Sequence, residues 1–130
     1  MIAIDTNVLV RFLVDDSPSQ TKKALDLVVN HSVFIPKTVF LETEWVLRYA
    51  YEFTKKQIML AFRKITNMKN VVLEDAACVK KALDWCENEN LDFADALHLS
   101  SSLSAKSFVT FDKTFVKKSR AIKNVTARLL

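Results

Sequence analysis

The chain has 130 residues, half of them hydrophobic, which is enough to build one compact domain with a substantial core. It carries 19 Lys and Arg against 15 Asp and Glu, a net charge of +4 that leans towards an acidic partner such as nucleic acid. Glycine is absent altogether, which excludes the P-loop and the G-x-G-x-x-G cradle, and with them P-loop NTPase, kinase and dinucleotide-dehydrogenase chemistry.

Short apolar runs rich in β-branched residues alternate with helical patterns, the signature of an α/β domain with a mostly parallel sheet. In chain order, strands are predicted near residues 2–5, 33–35, 71–74, 107–110 and 124–128, and helices over 7–13, 18–30, 37–52, 55–68, 76–88 and 93–105. Pro18 and Pro36 sit where proline is tolerated at helix starts. No linker, repeat or low-complexity tract interrupts the pattern, so residues 1–130 are expected to form a single domain. No apolar stretch is long enough to cross a bilayer, and Asp5 and Arg11 break the one apolar segment at the N-terminus. The expectation is therefore a cytoplasmic protein without a signal peptide or membrane contact. Cys78 and Cys86 fall on one predicted helix, about 12 Å apart along its axis, too far for a disulfide, and are expected to be reduced core thiols.

Several carboxylates occupy positions where chemistry is possible, and each also has a plainer use. Asp5 ends the strand-like run from Met1 to Ile4, at the strand end where open α/β sheets place ligands; it could equally cap the helix that follows. Asp112 repeats this after Ser107 to Phe111, with Thr110 two residues back on the same side of the strand, where its hydroxyl could orient the carboxylate or meet a phosphate; a turn aspartate is the alternative. On the helix over 37–52, Val39, Val46, Ala50 and Phe53 form an apolar stripe with Glu42 at its edge, whereas Glu44 shares a polar face with Arg48 and Glu52. Glu42 is thus the candidate, since a carboxylate beside the core needs a compensating charge, either a cation or a distant Lys or Arg.

Asp92 and Asp95 open the helix from Phe93 with capping-box spacing, which suits Asp92 as the N-cap. The helix dipole at Asp95 favours the ionised form that a metal ligand needs. His98 follows Asp95 by three residues, but no second histidine is near and His31 lies in a loop, so His98 is read as structural or supporting. An all-carboxylate set suits Mg²⁺ or Mn²⁺ better than zinc. The aromatics Trp45, Trp85, Tyr49, Phe40 and Phe62 lie on helical patterns and are assigned to core or interface packing rather than base stacking.

With D-T-N at residues 5–7, F-L-E at 40–42, D-F-A-D-A-L-H at 92–98 and T-F-D at 110–112, the chain resembles the PIN-domain ribonucleases, and among them the toxins of VapC-type toxin-antitoxin pairs. The motifs run in order from Met1 to about Arg128. The resemblance implies a three-layer α/β/α fold around a central, mostly parallel five-stranded sheet. It also implies an acidic pocket of Asp5, Glu42, Asp95 and Asp112 holding one or two Mg²⁺ or Mn²⁺ ions, with Thr6, Asn7, Thr110 and Asp92 as polar support. Hydrolysis of RNA phosphodiester bonds to 5′-phosphate and 3′-hydroxyl ends is the implied reaction, with a cognate antitoxin and a homodimer as implied partners. Many relatives carry another acid two residues after the last aspartate; here that position is Thr114.

Setting the four acids aside leaves 11 of the 15 acidic residues against 19 basic ones, a balance of +8 that could hold a polyanion around an acidic centre. Lys113, Lys117, Lys118, Arg120 and Lys123 cluster after Asp112, the first three as candidate substrate contacts, with a solvated helix face as the alternative. Two other nucleic-acid readings compete: a non-catalytic RNA-binding or scaffold protein of this fold, and a free RNA-processing nuclease. A phosphoryl-aspartate enzyme using Asp5 as nucleophile is a third, although D-x-D of such enzymes is here Asp5-x-Asn7.

Overall fold

A computed structural model describes residues 1–130. It contains seven helices and five strands, and every strand pair is parallel, the α/β class expected. The chain divides into two units, Met1–Ala76 and Ala77–Leu130.

In the first unit the order is β1 (Ile2–Ala3), α1 (Thr6–Leu13), α2 (Pro18–Asn30), β2 (Val33–Ile35), α3 (Lys37–Tyr49), α4 (Lys55–Thr66) and β3 (Val71–Leu73). The strands pair in the order β1-β2-β3, with Ile2 opposite Val33 and Val33 opposite Val71. Each strand here is too short to bury a surface alone, so the helices close over them. Leu9, Val28, Val33, Ile35, Phe40, Leu47, Ile58, Phe62 and Ile65 are all removed from solvent. Phe40 and Phe62 meet edge to face, with ring centroids 5.2 Å apart. Pro18 opens α2 as expected, and Thr54 and Gln57 exchange side-chain and backbone hydrogen bonds in a capping box that starts α4.

In the second unit the order is α5 (Ala76–Asn88, its first residue lying in the first unit), α6 (Phe93–Ser100), β4 (Phe108–Thr110), α7 (Lys113–Ser119) and β5 (Ala127–Leu129). β4 and β5 pair with Phe108 opposite Ala127. The core is built from Val79, Leu83, Leu91, Phe93, Ala96, Leu99, Phe115 and Val116. Cys78 and Cys86 are buried free thiols, as anticipated, and Cys78 Sγ lies 3.0 Å from the Ser100 hydroxyl.

Several elements depart from the expected bounds, α3 and α4 ending at Tyr49 and Thr66 among them. The five strands hydrogen-bond as ladders of three and two rather than as one continuous ladder. β1 stops at Ala3 because Asp5 already serves the next helix. α6 ends at Ser100, not 105, where consecutive serines turn their hydroxyls onto backbone carbonyls: Ser100 donates to Leu97 O and Ser102 to His98 O. α7 was not anticipated as an element, since only Phe115 and Val116 mark a buried face in a short basic run. β5 begins at Ala127, after Asn124 turns the chain through positive φ. No helix is long and apolar enough to cross a membrane.

Without glycine, left-handed backbone positions fall to Glu52, Asp75, Asn90 and Asn124. Asn and Asp tolerate this conformation; Glu does not, and at Glu52 φ is 55°, just beyond the end of α3. We expect Glu52→Gly to stabilise the protein by about 1 kcal/mol, read as a rise of about 3 °C in the thermal midpoint. A lowered midpoint would mean that the Glu52 side chain makes up for its backbone strain.

Candidate active site

β1 and β2 are parallel neighbours, so both release the chain at the same edge of their sheet, the edge at which open α/β sheets carry ligands. Asp5 stands there as the N-cap of α1, its backbone extended and its Oδ1 accepting the Val8 N–H at 3.0 Å. The capping role is therefore real, and it uses one carboxylate oxygen; Asp5 makes no other hydrogen bond or ion pair. Thr6 is buried and Asn7 exposed beside it. A cleft of about 390 Å³ opens next to Asp5 and Asn7, with Arg11, Gln20 and Lys23 on its walls. Arg11 is committed to Asp16, Gln20 and Tyr51, whereas Lys23 is exposed and holds no acid. The sequence reading passed over Lys23. Gln20, Lys23, Ala24 and Leu27 do recur at helical spacing, but nothing in the sequence said that this stripe lines a cleft with α1.

α3 starts where β2 ends, and here the expected helix face is corrected. The buried positions are Val39, Phe40, Thr43, Glu44 and Leu47, so Glu44 lies on the core side at 5% exposure and Glu42 on the solvent side. The helix stops at Tyr49, so Ala50 and Phe53 lie outside its period and the stripe through Val46, Ala50 and Phe53 does not mark its core face. Glu44 is not part of a solvated network: its Oε1 accepts a hydrogen bond from Arg48 Nη2 at 3.1 Å, and its Oε2 lies 3.1 Å from Arg48 Nε as an ion-pair contact. Glu42 carries no hydrogen bond and no ion pair. Burial cost therefore does not single out Glu42, which keeps its position on α3 and an unpaired charge.

In the second unit Asp92 occupies the N-cap position of α6, but its side chain makes no capping bond, contrary to the expected use. Asp95 in the first turn is half-buried. Burial pushes its carboxyl above the ordinary range, and the negative charges of Asp92 and Asp112 push the same way against the opposing pull of His98 and Lys118. The expectation that the helix start would favour its ionised form is thus reversed. Burial, joined by the two neighbouring acids, outweighs the dipole.

Asp112 caps α7 through Oδ1, which accepts the Phe115 N–H at 3.0 Å. Its own N–H donates to the Thr110 hydroxyl at 3.0 Å, so Thr110 shapes the turn that presents the carboxylate. His98 is exposed. Of the candidate lysines, Lys118 donates to the Asn90 carbonyl at 2.9 Å, while Lys113 and Lys117 are exposed and without partners.

Within neither unit do three or more His, Cys, Asp or Glu side chains gather closely enough to hold a cation. The donor chemistry still suits a hard divalent ion, because Asp5, Glu42, Asp95 and Asp112 offer only carboxylate oxygens and none forms an ion pair with a base of the protein.

Two outcomes follow from these bonds. Asn caps a helix as well as Asp, so Asp5→Asn is expected to keep the thermal midpoint of the wild type, whereas Asp5→Ala is expected to lose about 1 kcal/mol; equal losses in both would mean that the charge, not the cap, stabilises α1. Asp95 binds its proton more tightly folded than unfolded. Its ionisation therefore costs nothing below the unfolded value, and the full cost applies above the raised folded one. In EDTA, Asp95→Asn is expected to melt above the wild type at pH 7, with the difference shrinking as pH falls through the raised value. A variant that melts lower at neutral pH would show that the crowding is relieved in solution.

The family profile described as PIN domain matches residues 2–121, and the chain belongs to that family. PIN domains are generally nucleases, and they generally use divalent metal ions. No curated protein matches the chain.

Proposed function

We propose that this PIN-domain chain is a metal-dependent endoribonuclease and the toxin of a type II toxin-antitoxin pair, its two units acting as one nuclease domain. The observation that carries the reading is that none of Asp5, Glu42, Asp95 and Asp112 forms an ion pair in a protein that carries a net charge of +4. Some of its other acids are paired, as in Arg11–Asp16, Lys37–Asp75 and Arg48–Glu44. A divalent cation would relieve the repulsion among such carboxylates in one site.

Those four residues would hold one or two Mg²⁺ or Mn²⁺ ions. When bound, such an ion supplies positive charge at the attacked phosphate and makes water a stronger nucleophile at neutral pH. The chain's own residues do the rest. Asp5 and Asp112 are fixed as helix caps, so their carboxylates are positioned before any ligand arrives. Thr110 holds the Asp112 turn, and Thr6, Asn7 and Asp92 supply polar groups beside the acids. Lys113 and Lys117 offer unpaired charges to the phosphates on either side of the cut, and Lys118, tied to Asn90, offsets the acids around Asp95. The toxin assignment rests on the motif set at residues 5–7, 40–42, 92–98 and 110–112. It carries with it a small antitoxin that silences the acids and self-association as a homodimer.

The test is cleavage of total cellular RNA by the purified chain with Mg²⁺, with Mn²⁺ and with EDTA. Discrete fragments are expected with either metal and none with EDTA, and Asp5→Asn or Asp95→Asn is expected to lower the rate by at least about 100-fold. A fully active Asp5→Asn protein sinks the site. A folded wild type that binds RNA but cuts nothing under either metal moves the assignment to a non-catalytic scaffold.

A further inference from the structure

α3 buries Val39, Phe40, Thr43, Glu44 and Leu47, so at 100° per residue its opposite face carries Thr38, Glu42, Trp45 and Tyr49. Two of these are large aromatics in open solvent, Trp45 at 58% and Tyr49 at 60% exposure, although rings of this size normally supply core or interface area. They are not loose. Their ring centroids lie 5.0 Å apart with planes tilted by 48°, and the Arg48 guanidinium sits 4.8 Å from the centre of the Tyr49 ring. Arg48 is held in place by the two contacts to the nearly buried Glu44 carboxylate. A chain of contacts thus runs from the core through Glu44, Arg48 and Tyr49 to Trp45. It fixes an aromatic surface that the fold itself does not use.

The location gives this surface a meaning. Glu42, Trp45 and Tyr49 follow one another at i, i+3 and i+7, so Trp45 stands about 4.5 Å and Tyr49 about 10 Å along the helix axis from Glu42. At roughly 3.4 Å per stacked nucleotide, that is one to three nucleotides from a candidate catalytic carboxylate.

We propose that Trp45, propped by Tyr49 and Arg48, is a stacking platform for the bases of unpaired RNA next to the cleavage point. The proposal rests on the nuclease reading above and adds the place of the bases that flank the cut. Only an unpaired strand can offer a base face to an exposed ring; a duplex keeps its faces stacked inside and presents backbone and groove edges. A second copy of the chain is the other occupant to weigh. Two aromatic rings bury at most about 500 Å² together, short of the roughly 800 Å² per partner of a standard interface. The rest of this face, Thr38 and Glu42, is polar.

The experiment uses the full chain carrying Asp5→Asn, so that RNA is bound without being cut, and a short unstructured RNA containing 2-aminopurine. Trp45→Ala is expected to weaken binding about tenfold and to abolish the stacking quench of the probe, with Trp45→Phe restoring most of both. A duplex of the same sequence is expected to show no difference. In the otherwise wild-type chain, Trp45→Ala is expected to raise KM about tenfold and to lower kcat much less. Unchanged single-strand affinity in Trp45→Ala, an equal loss on duplex, or no RNA binding by the parent chain overturns the platform. So does a dimer that falls to monomer in Trp45→Ala by sedimentation, which would make the face an interface between copies. If wild type cuts nothing while Trp45-dependent single-strand binding persists, the nuclease reading falls and the platform stands; if cleavage is metal-dependent but indifferent to Trp45, only the platform falls.

Discussion

A helix that starts at the end of a parallel strand exposes backbone N–H groups that need an acceptor, and this chain meets the need twice with an aspartate. Asp5 closes β1 and caps α1; Asp112 closes β4 and caps α7, each through a 3.0 Å bond to the amide three residues on. The cap fixes the carboxylate at a sheet edge with one oxygen engaged and the other open. Structural and chemical uses of such a residue are therefore not rivals. The bond that starts the helix also orients the acid, and a change that keeps the cap but removes the charge separates the two.

The strand-end acids were legible in the sequence because they depend on local order alone: an apolar run, an acid, then a helical period. The elements between them were legible for the same reason, and α2, α5 and the three longer segments of β-branched residues stand close to where the pattern put them. What failed was whatever depended on where a helix stops. α3 was drawn three residues too long, and those extra residues rotated its apparent core face, so Glu42 and Glu44 exchanged environments. One helix end thus decided which of two glutamates faces solvent. α7 is not legible because a seven-residue helix with two buried apolar side chains, beside the buried Ser119, shows too little of its period to stand out from a run of lysines.

Asp95 shows a different limit. Its place in the first turn of α6 was readable, and by itself that place lowers a carboxyl's affinity for protons. The structure adds burial and two neighbouring acids, one of them 17 residues further along the chain, and the sum has the opposite sign. Sequence supplies the local field of the helix; only folding supplies the charges brought in from elsewhere.

Glu44 and Glu42, two residues apart, show how the protein treats a carboxylate that it keeps for structure and one that it leaves open. Taking a charge out of water is expensive, so Glu44 is matched by a guanidinium in contact with both of its oxygens. Glu42 stays in solvent, where an unpaired charge costs little, and so remains available to a ligand. The same pairing that neutralises Glu44 holds Arg48 against Tyr49, so the buried acid shapes the surface beside the exposed one. On α3 the core and the candidate site are therefore coupled through a single ion pair, and replacing Glu44 would disturb the aromatic face even though Glu44 itself is nearly buried.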